Sequence, residues 1–207
     1  MVLSVFPNKY ALIGIKRAVP ICRLSLHRHR HCSLSTLAET QRKITMSSTM
    51  NLPHVRVGVA AVIRDKDGKF LVGKRKGSHG AGTLQTPGGH LEHGEDLGAC
   101  AVRETEEETG LVVTAGNVIT ITNDVFDGED KHYITIFVDC AMTDPNATPE
   151  TTEPLKCEGW EWKSWDELKR INEAAKSNPS GDKLFLPLVN LVKQTADLNA
   201  LIASKSQ

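Results

Sequence analysis

The chain has 207 residues, 40% hydrophobic and 24% charged, which suits one globular domain with an appendage and leaves two full domains cramped. Lys+Arg and Asp+Glu are equal at 25 each, so the basic excess of a nucleic-acid-coating protein is missing, and no run of about 18 apolar residues exists to span a membrane. The five cysteines (Cys22, Cys32, Cys100, Cys140 and Cys157) are odd in number and contain no CxxC, which argues against a disulfide framework or a zinc site and for a reducing compartment.

In chain order, residues 1–45 come first. They hold eight Lys and Arg against one acid, Glu39, a net of +7. Arg, Ser, Leu and His dominate, the composition of a mitochondrial presequence. A disordered extension, with starts at Met46 or Met50 giving a cytosolic form, is the alternative, and a nuclear location is a third. Residues 1–50 are therefore set apart from a folded domain over 51–207. Val55–Arg64 and Phe70–Lys74 are β-rich around the turn Asp67-Gly68, which predicts a hairpin. Gly77 to Gly82 is a glycine-punctuated loop. A short strand over Leu84–Thr86 runs into a tight loop, Pro87-Gly88-Gly89. Asp96 to Thr109 reads as a helix with Leu97, Cys100, Ala101 and Thr105 on its apolar side and Gly110 as C-cap. Strands follow at Leu111–Thr114, Val118–Thr122, Tyr133–Cys140 and Trp160–Lys163. Ser164-Trp165-Asp166-Glu167 is a capping box opening a short helix. Leu184 to Ser204 reads as one terminal helix with Pro187 in its first turn. Strands and helices mix without strict alternation, so the fold class is α+β or a mixed-sheet sandwich.

One stretch carries the chemistry. Glu104, Glu107 and Glu108 stand at i, i+3, i+4 and project from one helix face within roughly 100° of arc. Three carboxylates so close repel one another, and a cation among them removes the repulsion. Hard oxygen ligands suit Mg²⁺ or Mn²⁺ and not Zn²⁺. Mg²⁺ is commonly shared with substrate phosphates, so the pattern points to phosphoryl or pyrophosphoryl chemistry. Glycines at 88 and 89 let backbone approach a metal or phosphate closely. Arg103, four residues before Glu107, can orient carboxylates while staying charged. A solvated acidic face is the ordinary meaning of such a run. Against it, Gly89, Glu95, Arg103, Glu104, Glu107, Glu108 and Gly110 fall together at fixed spacing, a coincidence on the order of one in a million at average residue usage.

Gly89 to Leu111 resembles the Nudix box, G-x5-E-x7-R-E-U-x-E-E-x-G-U, with Thr105 where the bulky aliphatic U usually stands. The resemblance runs from about Val55 to about Leu191 and includes Leu71–Ser78, Gln85–Leu91, His132–Ile136 and Glu158–Trp162. These segments resemble the MutT-related nucleotide-triphosphate diphosphatase branch of the Nudix hydrolases. The resemblance implies an α/β/α sandwich with a mixed sheet and a loop–helix–loop box. It implies that Glu104, Glu107 and Glu108 bind Mg²⁺ (or Mn²⁺) with the backbone carbonyl of Gly88. Glu104 or a neighbouring glutamate acts as base, Arg103 orients, and Glu95 supports the loop.

Further candidates surround the box. Arg75 follows the second strand and is placed near substrate phosphates, because an acidic face needs a counter-charge. Gly89 is placed at the substrate. Gln85 and Thr86 are candidates for a base pocket. Thr135 is read as a donor to a bound base. Phe185 offers a ring for stacking, and Leu188 follows it in a segment where Leu186 replaces the Trp usual in the resembling enzymes. Trp160, Trp162 and Trp165 are read as core or dimer contacts, and His90 and His93 flank the acidic loop.

The leading expectation is Mg²⁺-dependent hydrolysis of nucleoside triphosphates, dGTP-like or modified, to monophosphate and pyrophosphate, serving nucleotide-pool sanitation. The alternative keeps the chemistry with ADP-ribose, NADH, a dinucleoside polyphosphate or geranyl diphosphate as substrate. A binding module is the non-enzymatic reading, disfavoured because all three box glutamates are present. The expected partner is a small nucleotide, with no nucleic-acid polymer or membrane, and the resemblance suggests a homodimer.

Overall fold

The computed structural model describes residues 54–77, 79–178 and 180–205. The basic segment 1–45 and the boundary placed at residue 50 lie outside the described residues. The elements are β1 (Arg56–Ile63), β2 (Phe70–Arg75), β3 (Thr83–Gln85), β4 (Gly88–His90), α1 (Leu97–Thr109), β5 (Val113–Phe126), β6 (Lys131–Met142), β7 (Cys157–Lys163), α2 (Trp165–Ala174), β8 (Lys183–Leu184), α3 (Leu186–Gln194) and α4 (Leu198–Lys205). They form two four-stranded mixed sheets, ordered β4-β1-β6-β5 and β7-β2-β3-β8. The β1–β6 and β3–β8 pairs are parallel and the other neighbours antiparallel.

The β1 sequence is apolar on both faces because both are covered. Val59, Ala61 and Ile63 pack with Leu71, Val138 and the α1 residues Cys100 and Ala101. Ala60 and Val62 face the other way, into a core with Phe70, Phe137 and residues of α2, α3 and α4 such as Leu168, Leu191 and Ile202. Each large aliphatic side chain so buried contributes about 1.5–3 kcal/mol. The result is the expected α+β sandwich, helices on both faces of mixed strands. Among the described residues no helix is long and apolar enough to cross a membrane.

Four sequence expectations change. The β1–β2 hairpin is reduced to one bridge, Arg64 to Phe70. Asp65 accepts from the backbone N–H groups of Asp67 and Lys69, and beyond this tight turn the strands diverge into different sheets. The glycine loop at 88–89 is itself a short strand, because Gly88, Gly89 and His90 pair with Ala60, Val59 and Gly58. The strands read at Leu111–Thr114 and Val118–Thr122 are one strand, β5, which carries the intervening Gly116-Asn117 through two register shifts. The terminal helix is broken: Leu184 belongs to β8, and α3 and α4 are separated at Thr195–Asp197. The Trp165 indole N–H donates to the Ala196 carbonyl (3.1 Å), and Asp197 accepts from the Ala200 N–H at the start of α4.

Candidate active site

The box helix starts and stops where its residue types dictate. Asp96 is the N-cap and accepts from the Gly98 N–H, and Gly110 closes the helix in the left-handed conformation. Cys100, Ala101, Thr105 and Thr109 are fully buried. The Thr105 hydroxyl donates to the Ala101 carbonyl (2.6 Å), which satisfies the polar atom that stands where an aliphatic would otherwise pack.

The opposite face carries the charges, gathered by Arg103. Its Nε and Nη2 donate to the two oxygens of Glu95 (2.8 and 3.0 Å), and its Nη1 donates to Glu104 (2.8 Å) and Glu107 (3.3 Å). The fork to Glu95 fixes the guanidinium plane. These bonds hold the Glu95 carboxyl at about 2 and raise the guanidinium above its ordinary value. Glu95 also accepts from the Glu92 N–H (3.1 Å) and so ties the loop before α1 to Arg103.

Two glycines seat the carboxylates. A Cβ at Gly89 would overlap the Glu104 carboxylate, and one at Gly88 (φ 153°) would overlap the Val59 carbonyl. The Gly88 N–H donates to Glu108 Oε2 (3.1 Å). Glu108 is buried, and burial, helped by the negative charge of Glu104, outweighs that hydrogen bond and pushes its carboxyl up to about 7.

Glu104 and Glu108 line one side of a cavity of about 470 Å³, within the range of small-molecule sites, about 300–1,000 Å³. Gly88, Gly89 and His90 belong to the same lining. Basic side chains line it too. Arg75 lies 4.3 Å over the Phe185 ring and donates to the His79 carbonyl (3.0 Å) and to the Gln85 side-chain oxygen. Burial lowers its pKa, and Glu108 opposes that. Lys156, paired with Glu153 (2.7 Å), also faces the cavity. A further part of the lining is aromatic: Phe126, Tyr133, Phe185 and His79, with ring centroids 4.5–6.2 Å apart.

Of the residues singled out from sequence, Arg75, Gly88, Gly89, Glu104, Glu108, Thr135, Phe185 and Leu188 all meet in this cavity, as do Gln85, Thr86 and His90. Two are placed differently from expectation. Glu107 lies outside the lining, its side chain 56% exposed against 15% for Glu104, and it pairs with Arg103. Thr135 does not offer its hydroxyl hydrogen to a ligand, because that hydrogen goes to Asp124 Oδ2 (2.6 Å). Trp165 is core, and the Trp160 indole N–H donates to the Glu108 carbonyl (3.1 Å), so it braces the end of α1. His93 is exposed and outside the lining. Sequence reading missed His79, Phe126, Tyr133, Lys156 and the buried Asp124. Phe126 and Tyr133 flank the β5–β6 turn and face each other only through its register.

Among the described residues no three Asp, Glu, His or Cys side chains stand together as a ready metal site. The donor chemistry nonetheless fits a hard divalent cation. Glu104 and Glu108 are oxygen donors on one wall, and burial, with the negative charge of Glu104 added to it, disfavours the ionised Glu108 carboxylate that a cation there would stabilise. Glu107 would join them by giving up Arg103.

A family model, the NUDIX domain, matches residues 54–187. An ADP-ribose pyrophosphatase of Methanocaldococcus jannaschii is 44% identical over 59 residues, 28% of this chain and 34% of that protein. Nucleoside diphosphate-linked moiety X motif 6 of Xenopus laevis is 46% identical over 57 residues, 27% of this chain and 26% of that protein. The chain thus spans about a third and a quarter of these two curated relatives. Among solved structures, a MutT protein from Methanosarcina mazei Go1 superposes with a TM-score of 0.55 at 20% identity, covering 74% of this chain and 96% of the other. That likeness concerns the fold. The chain belongs to the NUDIX family.

Proposed function

We propose that this NUDIX chain hydrolyses the diphosphate linkage of a nucleotide, with a nucleoside triphosphate giving monophosphate and pyrophosphate as the first substrate class. The observation that carries the reading is the two-sided cavity. The half-buried carboxylate of Glu104 and the buried one of Glu108 stand on one wall, aromatic rings on another, and Arg75 and Lys156 supply positive charge.

The cation would be Mg²⁺, or Mn²⁺ in its place, held by Glu104 and Glu108 with the Gly88 carbonyl, and Glu107 if it leaves Arg103. When bound it supplies the positive charge that polarises the diphosphate and the attacking water. The chain's own groups do the rest. Glu104 and Glu108 are the candidates for the general base that takes a proton from the attacking water. Arg103 keeps Glu104 oriented through its fork to Glu95. Arg75 and Lys156 hold negative phosphate oxygens against the repulsion of the glutamate wall. The aromatic side excludes water and stacks a planar ring.

A second reading keeps the chemistry and changes the substrate to ADP-ribose or another nucleoside diphosphate derivative. It is favoured by the M. jannaschii relative, an ADP-ribose pyrophosphatase. The test is to incubate the protein and Mg²⁺ with dGTP, 8-oxo-dGTP, dCTP, dTTP, ADP-ribose, NADH and geranyl diphosphate, counting pyrophosphate apart from single phosphate. Monophosphate plus pyrophosphate from a triphosphate supports the first reading. Turnover confined to ADP-ribose or NADH replaces it with the second, and turnover confined to geranyl diphosphate, or none of any substrate, overturns both.

A further inference from the structure

The strand that leads into the box loop puts a polar side chain on the cavity wall with one end unused. Gln85 is the last residue of β3, is 7% exposed and lines the cavity. Strand register explains its place. Leu84 pairs with Leu184 across the parallel β3–β8 contact, and both side chains enter the core. Successive positions alternate between faces, so Gln85 and Phe185 share the opposite face. The Phe185 N–H donates to the Leu84 carbonyl (2.8 Å), which sets the two side by side. Arg75 reaches both: it donates to the Gln85 side-chain oxygen and lies 4.3 Å over the Phe185 ring.

Arg75 fixes which end of the amide is spent. A guanidinium only donates, so the oxygen of Gln85 must be the atom that meets it, and the side-chain N–H₂ is turned away. Among the described residues that N–H₂ makes no hydrogen bond. It is also not sealed, because the one fully buried side-chain N or O atom without a partner among them is His79 Nε2. The amide nitrogen is therefore reachable, and the space that Gln85 borders is the cavity. The Thr86 hydroxyl is in the same position: its residue is 9% exposed and lines the cavity, and the hydroxyl is neither bonded within the described residues nor sealed.

A hydroxyl can donate or accept, whereas an amide N–H₂ only donates, so Gln85 sets the polarity of this wall. A ligand amino group would set hydrogen against hydrogen there. A hydrocarbon chain would leave the donor unpaired, and unpaired groups of this kind are how sites reject near-isosteric analogues. A carbonyl oxygen has two lone pairs and can take both the Gln85 and the Thr86 donor, where a ring nitrogen can take one.

We infer that Gln85 is a specificity-determining residue of this site: its side-chain N–H₂ donates to an exocyclic carbonyl oxygen on the ring of the bound nucleotide, so that an oxo-base is taken over the amino-base of the same shape. Arg75 is the positioning residue that orients the amide. The inference rests on the nucleotide reading above and narrows its substrate class.

The test is equilibrium binding by the full chain at pH 7.5, read by calorimetry, with two pairs of nucleoside monophosphates that exchange oxo for amino at one ring position: inosine against adenosine, and uridine against cytidine. In the pair that binds more tightly, the oxo member is expected to bind about tenfold better, the worth of one hydrogen bond gained and one donor conflict avoided. Gln85→Glu keeps the shape and the bond to Arg75 but turns the cavity-facing atom into an acceptor. The order within the pair should then reverse, whatever the added charge does to both affinities in common. Gln85→Leu removes the donor and should bring the ratio to within about 2-fold. A wild type that binds both members equally or prefers the amino one, a Gln85→Glu variant that keeps the wild-type order, or an undiminished ratio in Gln85→Leu overturns this inference and leaves the hydrolase reading standing. Binding of none of the four by the wild type overturns it as well, and together with no hydrolysis of any nucleotide it overturns both.

Discussion

Replacing Glu108 by Gln should make the metal-free protein more stable at pH 8 and slow turnover by the protein in Mg²⁺, because both depend on the negative charge that Gln removes. Burial lifts the Glu108 carboxyl from its ordinary 4.5 to about 7. The folded chain therefore binds a proton that the unfolded chain releases. This stabilisation is fully present below pH 4.5 and is lost as pH rises through 7. Above that, ionised Glu108 costs about 3 kcal/mol relative to an unperturbed carboxyl. Gln carries no charge, and its side-chain oxygen can still accept the Gly88 N–H now bonded to Glu108. For a chain of this size 1 kcal/mol moves Tm by about 2–4 °C. Allowing for the amide N–H groups that must find partners, Glu108→Gln should raise Tm by about 5 °C at pH 8 in EDTA and by nearly nothing at pH 5. Differential scanning fluorimetry across pH 5–8.5 measures this. Added Mg²⁺ should stabilise the wild type at pH 8 more than the variant. A variant no more stable than the wild type at pH 8, with a difference that does not change with pH, would refute the assignment of Glu108 as a buried, charge-strained carboxylate.

Other consequences follow from the same contacts. Gly89→Ala pushes a methyl group into the space of the Glu104 carboxylate, so activity should fall by more than about tenfold, in line with the sensitivity of catalytic geometry to small displacements, while circular dichroism stays unchanged. Glu107 is exposed and bonded to Arg103, so Glu107→Gln should leave Tm within about 2 °C, as for surface positions. Its Mg²⁺ concentration for half-maximal activity should rise by about tenfold, the usual worth of a supporting ligand. Glu107 and Glu108 replaced together by Gln should abolish turnover of every substrate in the same assay. Thr105→Val removes a hydroxyl that bonds only within its own helix, and urea unfolding should find it neutral or stabilising by about 1 kcal/mol. A loss above 2 kcal/mol would show that the hydroxyl holds more than its helix.

The parts legible in the sequence were those set by local rules. The box helix runs from its Asp96 cap to Gly110 because capping and 3.6-residue periodicity are short-range. The capping box at Ser164 is formed for the same reason. Arg103 and Glu95 both stand out in the box spacing, and their ion pair forms where the loop before α1 folds back on the helix. What escaped depended on tertiary register. β1 and β2 look like a hairpin by pattern and part only because each is claimed by a different sheet. Gly116-Asn117 looks like a break and is absorbed by bulges that β6 enforces. The role of Thr135 could not be read without knowing that Asp124, eleven residues away, points at it across two strands. His79 sits among glycines, and nothing local marks it as a wall of the cavity.

The most direct test of the central claim is a side-by-side hydrolysis assay of wild type and Glu104→Gln, followed by ³¹P NMR with and without Mg²⁺ on the best substrate of the panel. The account predicts Mg²⁺-dependent cleavage of the diphosphate linkage by the wild type and a loss of at least about 100-fold in the variant, the scale of a lost transition-state contact, with Tm preserved. Wild-type turnover by a folded Glu104→Gln variant would contradict it.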